Sequence, residues 1–234
     1  MKTYTIGDIH GQYEALIEVL TKAKFDYDKD KLIVLGDVVD GGINTYKCVE
    51  ELLKIKNIVY VLGNHDEWFM KHISNGFVEE IWIQQGGANT LRSYGAIAGE
   101  SEYATEPSYL DLTNVNIPVT HQDFFNRGVY YHIENKMCFV HGGFDSSIGI
   151  EKTSNFTLLW DRELIQRHSR GREELRFDKI FVGHTTTQQY NTLEPVKFGK
   201  LWMMDTGAGW NGKLTIMNVN TEEHWQSKLQ VGGR

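Results

Sequence analysis

The chain has 234 residues, 41% hydrophobic and 24% charged, with 31 acidic against 24 basic side chains and a formal charge of -7. At that length about 70–75% of the unfolded surface can be buried, so one core forms without staples, and the absence of any apolar run of about 18 residues excludes a membrane-spanning helix. The acidic balance argues against bulk nucleic-acid binding and leaves carboxylates available to hard cations.

Cys48 and Cys138 match no metal-binding or redox spacing, which fits reduced, buried thiols of an intracellular protein. The opening MKTYTIGD lacks the apolar stretch of a signal peptide, so a cytoplasmic location is expected.

Taken in order, residues 3–6 form a short β-rich strand that stops at Gly7-Asp8. Tyr13, Leu16, Ile17, Leu20 and Ala23 recur at helical spacing, predicting an amphipathic helix over 12–24. A second apolar strand over 32–35 stops at Gly36-Asp37, a helix follows over 44–54, and a third strand over 58–62 stops at Gly63-Asn64. Residues 66–94 read as helices, with Trp68, Phe69, Ile73, Ile81 and Trp82 on their apolar faces. The polar stretch 99–116 reads as a long surface excursion. Short strands are expected over 129–132, 137–140, 180–182, 201–204 and 214–219, and a hairpin over 219–225. Three strand–loop–helix units followed by many strands predict an α/β fold: two mixed sheets packed as a central sandwich, flanked by helices, in one domain over 1–234.

Five motifs sit at predicted strand ends: Gly7-Asp8-Ile9-His10-Gly11, Gly36-Asp37-Val38-Val39-Asp40, Gly63-Asn64-His65-Asp66, His141-Gly142-Gly143 and Gly183-His184-Thr185. Each pairs an apolar strand and a small turn with a side chain able to ligate a cation, at the strand edge where α/β folds place ligands. Asp8 and His10 stand two apart, and strand alternation would aim both to one side. Asp37 can offer one oxygen to each of two cations. Carboxylates, imidazoles and an amide without thiolate suit Mn, Fe or Zn better than Ca, with Mn the expected ion, and argue against a structural zinc. Two cations would offset the cost of burying Asp8 beside Asp37 and make a bridging water acidic enough to attack near neutral pH.

The order GDIHG, GDVVD, GNHD, HGG, GHT resembles the calcineurin-like metallophosphoesterase superfamily, and within it the PPP-type serine/threonine phosphatases of bacteria and phages. That resemblance implies that Asp8, His10 and Asp37 hold one metal, that Asp37 bridges, and that Asn64, His141 and His184 complete a second site. It further implies that His65, oriented by Asp40, protonates the leaving alkoxide. One departure stands out: where the PPP pattern has a phosphate-clamping arginine, this chain has Gly41. Arg162, in Leu158-Leu159-Trp160-Asp161-Arg162, is the leading substitute, ahead of Arg92 and Arg127. Asp205 is a candidate support behind the ligands, while Trp82, Trp202 and Trp210 read as core, and Asp66 as a helix cap. His72, His121, His132, His168 and His224 read as surface or packing residues.

The expected function is hydrolysis of a phosphomonoester, foremost a serine/threonine phosphoprotein. The reaction would proceed by direct attack of a metal-bridging hydroxide, since no Cys or Ser nucleophile is paired with a base. The alternatives are a dinucleoside polyphosphate, nucleotide or nucleic-acid-end phosphohydrolase on the same centre, and a metal-binding scaffold without catalysis.

Overall fold

The computed structural model describes residues 1–98, 110–172 and 174–230. Most of the predicted excursion, residues 99–109, lies outside them.

In chain order the elements are β1 (Thr3–Ile6), α1 (Tyr13–Lys22), β2 (Lys31–Val34), α2 (Thr45–Leu52), β3 (Asn57–Tyr60) and α3 (Asn64–Asn75). Then come α4 (Glu80–Trp82), a kinked turn (Ile83–Gly87), α5 (Ala88–Ser93), β4 (Ile97–Ala98), β5 (Leu110–Asp111) and α6 (Val119–Asn126). The second half holds β6 (Tyr131–Glu134), β7 (Met137–Val140), α7 (Asn155–Trp160), α8 (Glu163–Ser169) and β8 (Lys179–Val182). It closes with β9 (Val196–Phe198), β10 (Leu201–Met203), β11 (Thr215–Asn218) and β12 (His224–Gln226).

Two five-stranded sheets run β12-β11-β1-β2-β3 and β6-β7-β8-β10-β9, with β4 and β5 pairing as a separate ribbon. Each large sheet has three parallel strands, β1, β2 and β3 in one and β7, β8 and β10 in the other, extended by antiparallel partners. The two mixed sheets with flanking helices match the expected sandwich.

Alternation along the strands explains the layers. Leu32 and Val34 of β2 face α1 with Leu16, Val19 and Leu20, while Ile33 and Leu35 face the second sheet. Between the sheets they meet Phe139 and Phe181, whose rings stack at 5.1 Å. Behind the second sheet, Cys138, Val140, Ile180 and Val182 pack against Leu164 and Ile165 of α8. Strands buried on both faces read as continuous apolar runs, which is why β2 and β7 were recognisable. Each such fully buried side chain contributes about 1.5–3 kcal/mol.

Register places the site. Ile6, Val34 and Tyr60 are aligned partners in the first sheet, and Val140, Val182 and Met203 in the second. The loops leaving these six ends therefore emerge together along one edge of the sandwich. Helices α6, α7 and α8 and strand β9 were not anticipated, being short segments with weak periodicity. Among the described residues, no helix is long and apolar enough to cross a membrane.

Candidate metal centre

The first three loops bring Asp8, His10, Asp37 and Asn64 to that edge, and β7 and β8 bring His141 and His184. Ligand atoms of Asp8, His10 and Asp37 lie within 4.8 Å of one another, and so do those of Asp37, His141 and His184. Asp37 belongs to both groups, as a bridging residue must. Its Oδ2 is the shared atom, 3.8 Å from His10 Nε2 and 3.3 Å from His141 Nε2. Its Oδ1 accepts the His65 backbone N–H at 3.0 Å, so Oδ2 is the oxygen turned toward both ligand groups.

Asp8 and His10 do converge, but not by strand alternation. β1 ends at Ile6, and His10 sits in the left-handed region at φ 48. Its place is set by the Asp37 carbonyl, which accepts the N–H of both Ile9 and His10. Asp37, Asp40 and His184 share the left-handed backbone, with φ of 48, 68 and 62. Non-glycine residues there store strain of about 1 kcal/mol or more each, held only because surrounding bonds over-determine them.

The imidazoles are aimed from behind. His10 donates Nδ1–H to the Val39 carbonyl (3.0 Å) and His141 to the Leu35 carbonyl (2.7 Å), which turns both Nε2 atoms into the centre. His141 Nε2 then faces two acceptors, Asn64 Oδ1 at 3.0 Å and Asp37 Oδ2 at 3.3 Å. A neutral ring whose one proton is on Nδ1 has only a lone pair to offer there. Either a second proton or a cation must sit between them. Burial works against the second proton, yet Asp37 and then Asp8 outweigh it and push the pKa up to about 10. His184 Nε2 is buried with no hydrogen-bond partner. Burial, then the charge of Asp205, raises the Asp8 pKa, whereas burial and the neighbouring imidazoles leave His10 at about 4, neutral and ready to ligate. An orphaned lone pair, opposed acceptors and a strained acid pair form a donor set that fits divalent cations.

Beside this floor, His65 donates Nδ1–H to Asp40 Oδ2 at 2.6 Å. Burial lowers the His65 pKa, but Asp37 and the bond to Asp40 lift it above the ordinary value. Asp40 is itself gripped by Thr90 Oγ1 at 2.8 Å and by the Trp82 indole N–H at 3.0 Å. Trp82 is buried as expected of a core residue, yet it also supplies this donor, and no local pattern pairs it with a residue 42 positions earlier. Asp66 caps α3 through the Gly63 N–H (2.9 Å), as expected. It also accepts the Asp37 and Val38 N–H groups at 2.7 and 3.0 Å, tying the loop after β2 to the loop after β3.

A cleft of about 400 Å³ opens over the centre, lined by Asp8, His10, Asp37, Asn64 and His184 and by Trp68, Ile81, Gln85, Trp160, Arg162, Asp205 and Trp210 among others. Arg162 is exposed at the start of α8, on the side of His184, whose pKa it helps lower after burial and His141. Arg92 and Arg127 do not line the cleft; Arg92 bonds Asn89, and Arg127 lies in another depression beside Phe124. Asp205 does line it, buried, with its pKa pushed up to about 6 by burial and by Asp37. Trp210, expected in the core, instead meets His10 edge-on at 5.9 Å in the cleft wall. Trp68 meets His65 at 5.1 Å and Trp160 meets His184 at 5.7 Å in the same manner. Of the remaining histidines, His121 is buried and bonded to Tyr94 (2.9 Å) and Glu50 (2.7 Å), a packing role.

Gly41 occupies the position of the expected clamp at φ +74, and a side chain there would meet His10 Cβ at 3.2 Å. An arginine would be strained in this loop.

These features define a hydrolase-type metal cleft on a two-sheet sandwich. The chain belongs to the calcineurin-like phosphoesterase family, whose model matches residues 1–201. It is 23% identical to serine/threonine-protein phosphatase 1 of Salmonella typhimurium, over 92% of this chain and 91% of that one. It is 26% identical to the symmetrical bis(5'-nucleosyl)-tetraphosphatase of Pseudomonas fluorescens, over 98% of this chain and 95% of the relative. A crystal structure of a candidate diadenosine tetraphosphatase superposes with a TM-score of 0.64 at 14% identity, covering 100% of this chain and 94% of that one, a likeness of fold.

Proposed function

We propose that the protein is a dinuclear-metal-dependent phosphomonoester hydrolase whose foremost substrate is a serine/threonine phosphoprotein. The observation that carries this is His65, bonded to the buried Asp40 at 2.6 Å and lining one cleft with members of both ligand groups that share Asp37. Asp8, His10 and Asp37 would hold one ion, and Asp37, Asn64, His141 and His184 the other, with Mn the expected metal and Fe or Zn compatible with the same donors. Two divalent cations, when bound, supply charge for the phosphoryl oxygens and acidity to a water between them.

The chain's own residues do the rest. His65 Nε2 donates its proton to the departing ester oxygen, while Asp40 accepts the Nδ1–H, fixes the tautomer and favours the charged ring. Arg162 pairs with a phosphoryl oxygen from the His184 side. The aromatic walls exclude bulk water from the polar floor. The Salmonella phosphatase, alike over nearly the whole of both chains, supports the phosphoprotein substrate.

A second reading keeps the same centre for a dinucleoside polyphosphate. It is favoured by the Pseudomonas relative, which is alike over a similar span, and by tryptophans able to stack on a base.

The test is hydrolysis of p-nitrophenyl phosphate with added Mn²⁺, followed by a parallel screen of phosphothreonine peptide and diadenosine tetraphosphate. Metal-dependent turnover with preference for the peptide is expected. Two bound cations without turnover on any of these esters would leave a non-catalytic scaffold.

A further inference from the structure

Among the described residues that line the cleft, the dyad side carries no charged donor apart from His65. Among the described lining residues the one guanidinium or ammonium group is that of Arg162, beside His184. A phosphoryl group seated on the floor would present oxygens to both sides, so the dyad side needs a donor of another kind.

Gln85 lines the cleft there, half-buried. It belongs to the segment Ile83–Gly87, where Gly86 leaves helical geometry and kinks the chain between α4 and α5. The turn is locked to the Asp40–Gly41 loop from several directions. Trp82, just before it, donates to Asp40, and Thr90, just after it, does the same. Asn89 donates to the Gly41 carbonyl at 2.6 Å. Gly86, at φ +107, lies so close that a Cβ would stand 2.4 Å from the Gly41 nitrogen. The neighbouring Gln84 spends its amide on Glu80 at 2.9 Å. The segment packed against the Gly41 backbone thus holds one amide at the cleft on a rigid support.

We propose that Gln85 is a substrate-contacting residue whose side-chain amide donates a hydrogen bond to a phosphoryl oxygen, taking with a neutral group the place a second cation would fill. This rests on the phosphoesterase reading and deepens it. A neutral amide does not select for the second negative charge of a monoester, so the cleft accepts singly charged phosphoryl groups, those of diesters, more readily than a two-cation clamp would.

The test measures binding of inorganic phosphate to the Mn²⁺-loaded protein by calorimetry, alongside turnover. A hydrogen bond to a charged oxygen is worth a factor of about ten or more. Gln85→Ala should weaken phosphate binding about tenfold and raise KM more than it lowers kcat. Gln85→Glu should weaken binding further, and Gln85→Arg should restore it. Gln85→Arg should also raise the preference for p-nitrophenyl phosphate over bis-p-nitrophenyl phosphate at least about fivefold. Phosphate affinity within twofold of wild type in both Gln85→Ala and Gln85→Glu overturns the proposal, as does a wild type that binds no phosphate. Phosphate binding that follows Gln85 in a protein that hydrolyses no ester overturns the hydrolase reading alone.

Discussion

The floor of the cleft and its walls are built by different means. On the floor, Asp8, His10, Asp37, Asp40 and His141 are buried, and backbone groups of neighbouring loops grip four of them from behind. In the walls, Trp68, Trp160 and Trp210 are half-buried and meet the floor through ring edges, while Arg162 is exposed. A floor must hold atoms to within a few tenths of an ångström, and it accepts strained backbone to do so. Walls need only exclude water and favour one attached group over another. Reaction type therefore resides in the first region, and choice of substrate in the second.

The sharpest way to break the comparison is at its hub. Asp37→Asn keeps the shape but removes the shared charge, so both ligand groups are damaged at once. Activity should fall at least about 10³-fold, several kcal/mol of barrier, and metal analysis should show fewer than two ions per chain. His65→Asn removes only the proposed proton donor, and a loss of about 10² to 10⁴ in kcat is expected with metal stoichiometry intact. If His65→Asn instead shed metal, the dyad would belong with the ligands and not beside them.

Protons and cations compete for this floor, which gives a prediction with a definite sign. In the metal-free chain His141 keeps its proton up to about 10, against 6.5 as the ordinary value. Its contribution to stability is complete below that ordinary value and fades as pH rises through about 10. Asp66 and Asp205, pushed up to about 6 chiefly by burial, hold protons that the unfolded chain has already released, so metal-free stability falls as pH rises from about 4 to about 6. Mn²⁺ must displace the His141 proton and relieve the carboxylates. The rise in melting temperature on adding Mn²⁺ should be larger near pH 7.5 than near pH 5.5, and calorimetry should detect proton release. An equal rise at both pH values would mean that His141 does not ligate.

How much of this was legible beforehand follows the same division. The floor could be read because Asp8, Asp37, Asn64 and His184 each follow an apolar strand and a glycine, and in-register parallel strands deliver such loops to one edge. The two sheets could be read because β2, β7 and β8 are continuous apolar runs. The second tie made by Asp66, from Gly63 to the loop after β2, left no trace, since a helix cap accounts for the same residue. Trp82 and Thr90 were invisible as partners of Asp40, because local patterns carry no information about contacts 42 and 50 positions apart. Trp210 looked like core because an apolar neighbourhood in sequence does not say whether a ring is covered. The short helices α6, α7 and α8 owe their form to packing more than to propensity, so periodicity missed them.

Trp82 sits where the two regions meet and offers a finer probe. Trp82→Phe keeps most of the ring but removes the N–H, leaving Asp40 with His65 and Thr90. A stability loss of about 1 kcal/mol and a kcat reduced about tenfold are expected, because His65 is aimed less firmly. A melting temperature that drops while kcat holds would show that the indole only fills space.

The smallest effect belongs to the wall itself. Trp68 touches His65 through a ring edge and Trp160 at 5.4 Å, and its own contact with a substrate would be worth about 0.5–1.5 kcal/mol. Trp68→Leu should therefore change kcat/KM by only about two- to tenfold, and by unequal factors for different esters. Measuring it on a phosphothreonine peptide and on diadenosine tetraphosphate separates the two roles. A wall that recognises the attached group slows diadenosine tetraphosphate more, because only that substrate has a base to stack. A wall that merely supports His65 slows the peptide more, since a threonine alkoxide needs the proton and a nucleoside diphosphate scarcely does. A loss confined to the peptide would move Trp68 from the walls to the floor, and the division drawn above would have to be redrawn around His65.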